Sequence, residues 1–242
     1  MTSGLEPRLA EGANATHVPL RPQHATRPAV ESRKAVVRGA DDLFRSLYTR
    51  SGVSSDEVLA VTSAVDGEGK TTIALGLALT IAQDFPQIQV CLVETDLARP
   101  VLAVDFGVPL APGLLEFLAE ETPLDPIVRS TFRDNLTIVP AGAGTTNASR
   151  LLRSQRMATA LELLKRTHGV VVLDLPSVLS NSDTLLLADH ADGLLLVVRA
   201  GQTPAGVLAE AAELLDAERL RGIVMNAAES RIPRWLRSLA GI

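Results

Sequence analysis

The sequence predicts an α/β fold in which a mostly parallel central β-sheet carries helices on both faces. Six short apolar runs, rich in Val, Ile and Leu, alternate with segments of helical periodicity. Continuously apolar strands that alternate with helices are typical of a parallel sheet covered on both sides. The composition agrees, because 46% hydrophobic and 21% charged residues are ordinary for a globular protein of 242 residues.

The N-terminal part differs from the rest. Residues 1–38 carry scattered Pro, Arg, Gly and Ala without apolar periodicity, and their six basic residues outnumber three acidic ones, which predicts a flexible basic arm without its own core. Residues 39–242 are predicted to form a single domain. Its first element is an amphipathic helix, "DDLFRSLYTR", with Leu43, Leu47 and Tyr48 on one side.

The other elements follow in alternation along the chain. Strands are predicted at 57–63, 88–93, 136–139, 170–174, 194–198 and 222–226, and helices at 70–83, 149–166 and 204–220. In a sheet of this kind the ligand lies beyond the carboxyl ends of the strands, so residues at those ends are the candidate site.

The loop after the first strand, "SAVDGEGKTT", ends like a P-loop but has Ala64 where the pattern has its first glycine. Backbone N–H groups of such a loop hold phosphates, while the lysine bridges the β- and γ-phosphates and the next hydroxyl binds Mg²⁺. An ordinary glycine turn before a helix is the alternative. The predicted nucleotide-binding residues here are Val65, Asp66, Gly67, Glu68, Gly69, Lys70, Thr71 and Thr72.

Charged residues stand at the ends of two further strands. The second strand ends in "VETDLARP", which places Glu94, Asp96 and Arg99 at the predicted ligand edge, and "VLDLPS" places Asp174 there. A strand that ends in aspartate commonly supports nucleotide-bound Mg²⁺. The alternative is that these carboxylates cap helix N-termini.

These motifs, with "VVVLDLPSVLSNSD" and "ADGLLLVVRAGQTP", resemble the bacterial tyrosine kinases of polysaccharide export within the MinD/ParA-like P-loop ATPases. The resemblance implies ATP and Mg²⁺ as cofactors. It assigns catalytic roles to Lys70, Glu94, Asp96 and Asp174, and places Mg²⁺ at Thr71, Asp96 and Asp174. The absence of an N-K-x-D pattern also favours ATP over GTP.

Several positions refine the resemblance. Glu94 stands where the family has an aspartate near the attacking hydroxyl, and Arg99 matches the arginine of the same motif. Asn226 matches an asparagine that often contacts adenine, although a polar residue that satisfies a turn is equally compatible. Val65 replaces the signature lysine of the ParA and MinD branch, which favours the kinase branch.

The first helix and the single tyrosine bear on assembly. Asp42, Arg45 and Tyr48 occupy the positions of a family E-x-x-R-x-x-R segment that reaches a neighbouring subunit, so the resemblance implies a homo-oligomer. Family members commonly carry a C-terminal tyrosine cluster, whereas the only tyrosine here is Tyr48. The simpler interpretation of Tyr48 is an aromatic residue on a packed helix face. The phosphate acceptor is therefore expected on a partner, a membrane co-polymerase or chain-length adaptor protein.

The C-terminal residues 231–242 form a basic amphipathic pattern that contains Trp235, and we expect possible direct membrane contact there. The alternative is a final helix packed on protein. No apolar run has the ~20 residues needed to span a bilayer. The net charge of −5 argues against nucleic acid, and a single cysteine, Cys91, fits a reducing cytosol. We expect a cytoplasmic protein, peripheral at the inner face of the cell membrane.

The sequence thus predicts an ATP–Mg²⁺-dependent phosphotransferase or ATPase that resembles the tyrosine kinases of capsule and exopolysaccharide assembly. The alternative is a MinD-like or pseudokinase nucleotide switch that recruits a partner to the membrane without phosphoryl transfer. A structural α/β protein that binds no nucleotide is disfavoured by the combined motifs.

Overall fold

One seven-stranded sheet organises the molecule. The computed structural model describes residues 41–52, 54–144 and 148–227. The strand order is β3-β4-β2-β5-β1-β6-β7, and every neighbouring pair is parallel except β3 with β4. The strands are β1 Glu57–Ser63, β2 Val90–Glu94, β3 Arg129–Ser130, β4 Leu136–Val139, β5 Val170–Asp174, β6 Gly193–Arg199 and β7 Leu220–Asn226. The predicted mostly parallel sheet is confirmed.

Helices cover both faces of this sheet. They are α1 Asp41–Ser51, α2 Lys70–Asp84, α3 Leu102–Phe106, α4 Leu114–Leu118, α5 Ala148–Leu152, α6 Gln155–Thr167, α7 Asp183–Ala188 and α8 Ala205–Leu214. One apolar cluster packs α1 and α2 on the sheet, and a second packs α4, α6, α7 and α8 on its other face. Because β1, β2 and β5 are buried on both faces, each has a continuous apolar run with polar residues only at its ends, and this run made the strands recognisable in the sequence.

Two predicted helices are shorter than expected. The segment 149–166 forms α5 and α6, separated at Ser154, where the backbone is extended and the hydroxyl donates to the Leu151 carbonyl at 2.6 Å. Such local side-chain bonds compete with helix continuation. The segment 204–220 is helical only to Leu214, because Asp216 accepts the Glu218 amide at 2.9 Å and forms a turn before β7. The two-residue strand β3 was not predicted.

The apolar face of α1 also differs from the prediction. Leu43 is 68% exposed, whereas Phe44 is 2% exposed and packs with Leu47 and Tyr48 in the α2 cluster. The ring of Phe44 lies against Gly76 of α2, where a Cβ would overlap it. The assignment of Leu43 to the packed side was therefore wrong, because the buried stripe begins one residue later.

The proposed N-terminal arm, 1–38, and the C-terminal segment 231–242 lie outside the described residues. Among the residues that are described, no helix is long and apolar enough to cross a membrane.

Candidate functional site

The loop between β1 and α2 has the shape of a phosphate cradle. Gly67 and Gly69 have φ values of +85° and +95°, a region that disfavours side chains. Gly69 precedes α2, which has no side-chain cap and no acidic residue in its first turn. Its first N–H groups therefore remain available to an anion. Lys70, Thr71 and Thr72 form the first turn above this opening.

Ala64 occupies the place of the missing first glycine and is fully buried. Its amide donates to the Val197 carbonyl of β6 at 3.3 Å, so it continues the line of β1. The residue belongs to the apolar core under the loop. A methyl group fits there, and the loop retains its glycines where φ is positive.

Glu68 fastens the loop to the neighbouring strand ends. Its buried carboxylate accepts the Val65 amide at 2.9 Å and the Thr203 hydroxyl, which follows β6. The Asn226 amide group, at the end of β7, donates to the Glu68 carbonyl at 2.7 Å. Asn226 therefore lies against the loop, and its side chain occupies the space that a Cβ at position 69 would need.

A lysine–aspartate pair lies at the mouth of the cradle. Lys70 Nζ is 2.8 Å from Asp96 Oδ2, and the two side chains are only 12% and 5% exposed. Both charges are therefore largely desolvated and neutralise one another. A phosphate that bound here would compete with Asp96 for the ammonium group.

Asp174 is the most unusual group of the site. It is 1% exposed, and neither of its carboxylate oxygens has a hydrogen-bond partner in the described part of the chain. Burial raises its pKa from 3.8 to about 7, although the charge of Lys70 and the nearby Thr71 hydroxyl act in the opposite direction. The Thr71 hydroxyl lies beside the carboxylate without the geometry of a full hydrogen bond. Buried carboxylates are normally bonded, so an unpaired one at the end of β5 has the chemistry of a cation ligand.

Asp66 and Arg99 form an ion pair across the front of the loop, and Asp66 also accepts the Ser177 hydroxyl. The guanidinium of Arg99 holds the pKa of Asp66 below its usual range. Arg99 is also 3.8 Å from Asp96 Oδ2. Its side chain is 53% exposed, so it can move toward a bound nucleotide.

Glu94 lies inside the protein and makes contacts that differ from those expected of a residue that handles an acceptor. Its carboxylate is fully buried and accepts the amides of Val101, Leu102 and Ala141. Burial raises its pKa, and these three bonds oppose the rise. Glu94 thus ties the start of α3 and the segment after β4 to the end of β2. This geometry is that of a residue that positions the start of α3 and the segment after β4.

The three expected oligomer residues lie at the opposite end of α2 from the loop. Arg45 donates to both Asp84 oxygens, at 2.7 and 2.9 Å, and the Tyr48 hydroxyl donates to Asp84 at 3.0 Å. Asp42 is fully exposed and pairs with Arg45 at 2.9 Å. Tyr48 also meets Phe85 edge-on, with ring centroids 5.5 Å apart. In this chain Arg45 and Tyr48 therefore dock α1 on α2, whereas Asp42 faces solvent.

The fold brings most of the predicted site together. Residues 65–72, Asp96, Arg99, Asp174 and Asn226 share the carboxyl edge of the sheet, and Asp42, Arg45 and Tyr48 do not. Sequence reasoning missed Ser177 and Thr203, which hold the loop through its acidic side chains. Both follow strands directly, and that position was the available signal.

Comparison with known proteins gives consistent neighbours, although no family model matches the chain. It is 26% identical over 211 residues to the tyrosine-protein kinase CpsD of Streptococcus agalactiae, covering 85% of this chain and 90% of that protein. It is 30% identical over 168 residues to the tyrosine-protein kinase YwqD of Bacillus subtilis, covering 69% and 70%. The kinase domain of VpsO superposes with a TM-score of 0.72 at 29% identity, covering 85% of this chain and 100% of that domain.

The fold alone extends to more distant ATPases. An ATP complex of McdA from Cyanothece has a TM-score of 0.61 at 20% identity, covering 78% of this chain and 81% of that one. At this identity the likeness shows a shared fold.

Proposed function

Because the chain belongs to the bacterial tyrosine-protein kinases, we propose that it transfers the γ-phosphoryl group of ATP–Mg²⁺ to a tyrosine of a partner protein in polysaccharide export. The observation that carries the proposal is the group formed by Lys70, Asp96 and the orphaned Asp174 beside the α2 N-terminus. It combines the ammonium group of Lys70, a helix N-terminus that can bind an anion, and two buried carboxylates at one edge of the sheet.

The residues of the cradle divide the work of phosphate binding. The loop amides and the first N–H groups of α2 face the β- and γ-phosphates. Lys70 exchanges Asp96 for a phosphate oxygen, and its charge then offsets the negative charge that develops in transfer. Arg99 leaves Asp66 and reaches the outer phosphate. Asn226, next to Gly69, borders the side on which the nucleoside leaves the loop.

The oxygen donors fit a magnesium ion. The Thr71 hydroxyl, Asp96 and Asp174 are hard oxygen ligands, and Mg²⁺ is typically held by one or two carboxylates together with substrate phosphates and water. No group of three or more acidic, histidine or cysteine side chains suited to a metal occurs in the described ranges. When bound, Mg²⁺ neutralises charge on the phosphates and orients them. Because the protein supplies only a hydroxyl and two carboxylates, the binding of Mg²⁺ here depends on the phosphates of the nucleotide.

The acceptor comes from another molecule. Tyr48 is the single tyrosine of the 242 residues, and it is held by Asp84 and Phe85 at the far end of α2. A relative with 29% identity over 181 residues is the succinoglycan biosynthesis transport protein ExoP of Rhizobium meliloti, and the chimera CapA2B2 is 25% identical. These relatives support a membrane co-polymerase or chain-length adaptor as partner.

Location and assembly follow from the same proposal. The chain works at the inner face of the cell membrane, held by the adaptor and by residues 231–242. It forms a homo-oligomer in which the exposed Asp42 side of α1 meets a neighbour. Residues 39–242 act as one kinase domain, and residues 1–38 as a basic docking arm.

The test is transfer of labelled phosphate. Purified chain is incubated with γ-labelled ATP, Mg²⁺ and the cytoplasmic segment of the adaptor, and phosphotyrosine is measured. We expect label on the adaptor, and its loss in Lys70→Ala. Lys165→Ala is a matched control, because Lys165 also pairs with an aspartate, Asp192, at 3.0 Å but lies away from the loop.

One observation favours a second function. Glu94 is fully buried and its two oxygens accept three backbone amides, so the residue is poorly placed to receive the proton of an acceptor hydroxyl. A nucleotide switch that recruits a partner without transfer needs no such group. ATP–Mg²⁺ binding and nucleotide-dependent adaptor binding without phosphotyrosine would establish the switch, and failure to bind ATP–Mg²⁺ would remove both functions.

A further inference from the structure

The edge strand β7 leaves part of one sheet face uncovered. Ile223 and Met225 are 47% and 65% exposed, although both are large apolar side chains in a strand. Their register partners in β6 are Leu196 and Val198, which are buried in the apolar cluster on the α8 face. Register partners point to the same side of a sheet, so Ile223 and Met225 continue that core surface beyond its cover. This pair of residues is called the β7 strip below.

The exposure is confined to this one face of the strand. Val224, between the two exposed residues, packs on the other face with the cluster that contains α1 and α2. Single exposed apolar side chains are ordinary, whereas neighbouring ones that extend a core are typical of a surface that another element covers.

The chain that leaves β7 has the right length to cover the strip. Residues 228–242 continue directly from the strand, and Ala227 has a φ of +54°, so the chain turns as it leaves β7. A helix that begins near residue 231 has a connection of ordinary length for a strand followed by a helix. From 231 to 242 it would be roughly 18 Å long. The seven residues of β7 span about 23 Å, so such a helix can lie back along the strand.

The apolar residues of this segment fit a sheet surface of that size. They recur at helical spacing and form one stripe, which consists of Trp235, Leu236, Leu239 and Ile242. Pro233 falls in the first turn of a helix that begins at 231, where proline is tolerated. Trp235 follows about one turn after the start, which places its ring near the carboxyl end of β7.

The charges beside the strip also match the segment. Helix α8 joins β6 to β7 and packs on the same face of the sheet. It exposes Glu210 and Glu213 and contains no basic residue. Residues 231–242 contain no acidic residue and three arginines, Arg231, Arg234 and Arg237. An acidic helix next to the apolar strip therefore attracts this segment over a neutral or acidic one.

We propose that residues 231–242 dock as a helix on the β7 strip of their own chain, with Trp235 against Ile223 and Met225. The inference goes beyond phosphoryl transfer and does not depend on it. The stripe that covers the strip is the one that would enter a bilayer, so docking and membrane contact exclude one another. The β7 strip thus covers the stripe of this segment until a membrane binds it.

The first measurement uses Trp235, which is the single tryptophan of the chain. A double variant, Ile223→Thr with Met225→Gln, should raise its acrylamide quenching constant roughly threefold or more, because the segment is released. Leu239→Gln should have the same effect from the segment side, without any change in β7. Leu186→Gln, at a 44% exposed position of α7, is the matched control and should keep the original constant. Equal quenching in all four chains refutes the docking.

Protein concentration separates the chain's own segment from that of a second copy. Because the proposed contact lies within one chain, the quenching constant of the original protein should be the same across dilution. A constant that rises on dilution would identify a second copy as the occupant and overturn the proposal.

Vesicles of phosphatidylcholine and phosphatidylglycerol test the competition with a bilayer. The double variant should bind them at a lipid concentration roughly threefold or more below that of the original chain, because its apolar stripe is already free. Equal, measurable affinities for both chains refute the docking. Quenching protection in a chain that binds no vesicles supports the docking and refutes the membrane contact, so the two failures are distinguishable.

Discussion

Replacing Asp174 with asparagine removes a buried negative charge without changing side-chain size. The carboxylate is 1% exposed, and its pKa rises from 3.8 to about 7 because burial disfavours the ionised form. At roughly 1.4 kcal/mol for each pKa unit, the charge costs the metal-free protein up to about 4 kcal/mol above pH 7.

The sign of the pH dependence follows from linkage. Because the folded pKa is above the unfolded value, the original protein loses stability as the pH rises from about 4 to about 7 and stays at the lower level beyond it. Asp174→Asn does not titrate. Its stability relative to the original protein therefore increases by roughly 2–3 kcal/mol between about pH 5 and about pH 8. The buried amide has its own cost, but that cost does not depend on pH.

Urea unfolding in EDTA, without nucleotide, measures this difference at the two pH values. Asp189→Asn is the control, since Asp189 is exposed just after α7. Saturating ATP–Mg²⁺ should then stabilise the original protein and leave Asp174→Asn nearly unchanged, because ligand binding adds to the free energy of unfolding. A stability difference that is the same at both pH values would refute the account of Asp174 as a buried, metal-free ligand.

Three other substitutions test separate parts of the structure. Lys70→Ala should weaken ATP–Mg²⁺ binding about 100-fold in calorimetry, because a phosphate contact is lost. Lys70→Arg should not restore it, because a planar guanidinium does not replace a compact, largely buried ammonium group. Binding within about threefold of the original would contradict this. Glu94→Gln should lower the free energy of urea unfolding by about 1–3 kcal/mol, because the side-chain NH₂ group would then face backbone N–H donors. Glu94→Asp should also lose part of these contacts, because its side chain is shorter. An unchanged unfolding midpoint for both variants would exclude the positioning role. Tyr48→Phe should cost about 1 kcal/mol and speed amide exchange in α1, because the bond to Asp84 at 3.0 Å is lost. Equal exchange rates would show that the Tyr48 hydroxyl does not hold α1 on α2.

The sheet was predictable because its central strands are buried on both sides. β1 and β5 appear in the sequence as uninterrupted apolar runs that end at polar residues, and their predicted bounds match the structure. β3 has only two residues, so no periodicity could reveal it. Ser154 divides a helix through one hydroxyl bond, which competes with a pattern that otherwise continues.

The position of the site could be predicted from the sequence, whereas the contacts of several of its residues could not. The end of each parallel strand reaches one edge, so the joint position of Lys70, Asp96 and Asp174 followed from their place after strands. The contacts of Glu94 could not be inferred, because its partners are backbone amides up to 47 residues away. Asp84 was missed for the same reason, since Arg45 lies 39 residues before it.

The Lys70–Asp96 pair has a consequence for the order in which ligands bind. A nucleotide that draws Lys70 toward its phosphates removes the counter-charge of Asp96, which is 5% exposed, beside the equally buried Asp174. A free triphosphate would then meet two uncompensated carboxylates, and each buried charge without a partner is costly. When the Lys70 ammonium group leaves Asp96, another cation must therefore take its place beside the carboxylates. In the proposed function the site would therefore discriminate against metal-free ATP before any step of chemistry, and its apparent affinity for nucleotide would depend on the magnesium concentration.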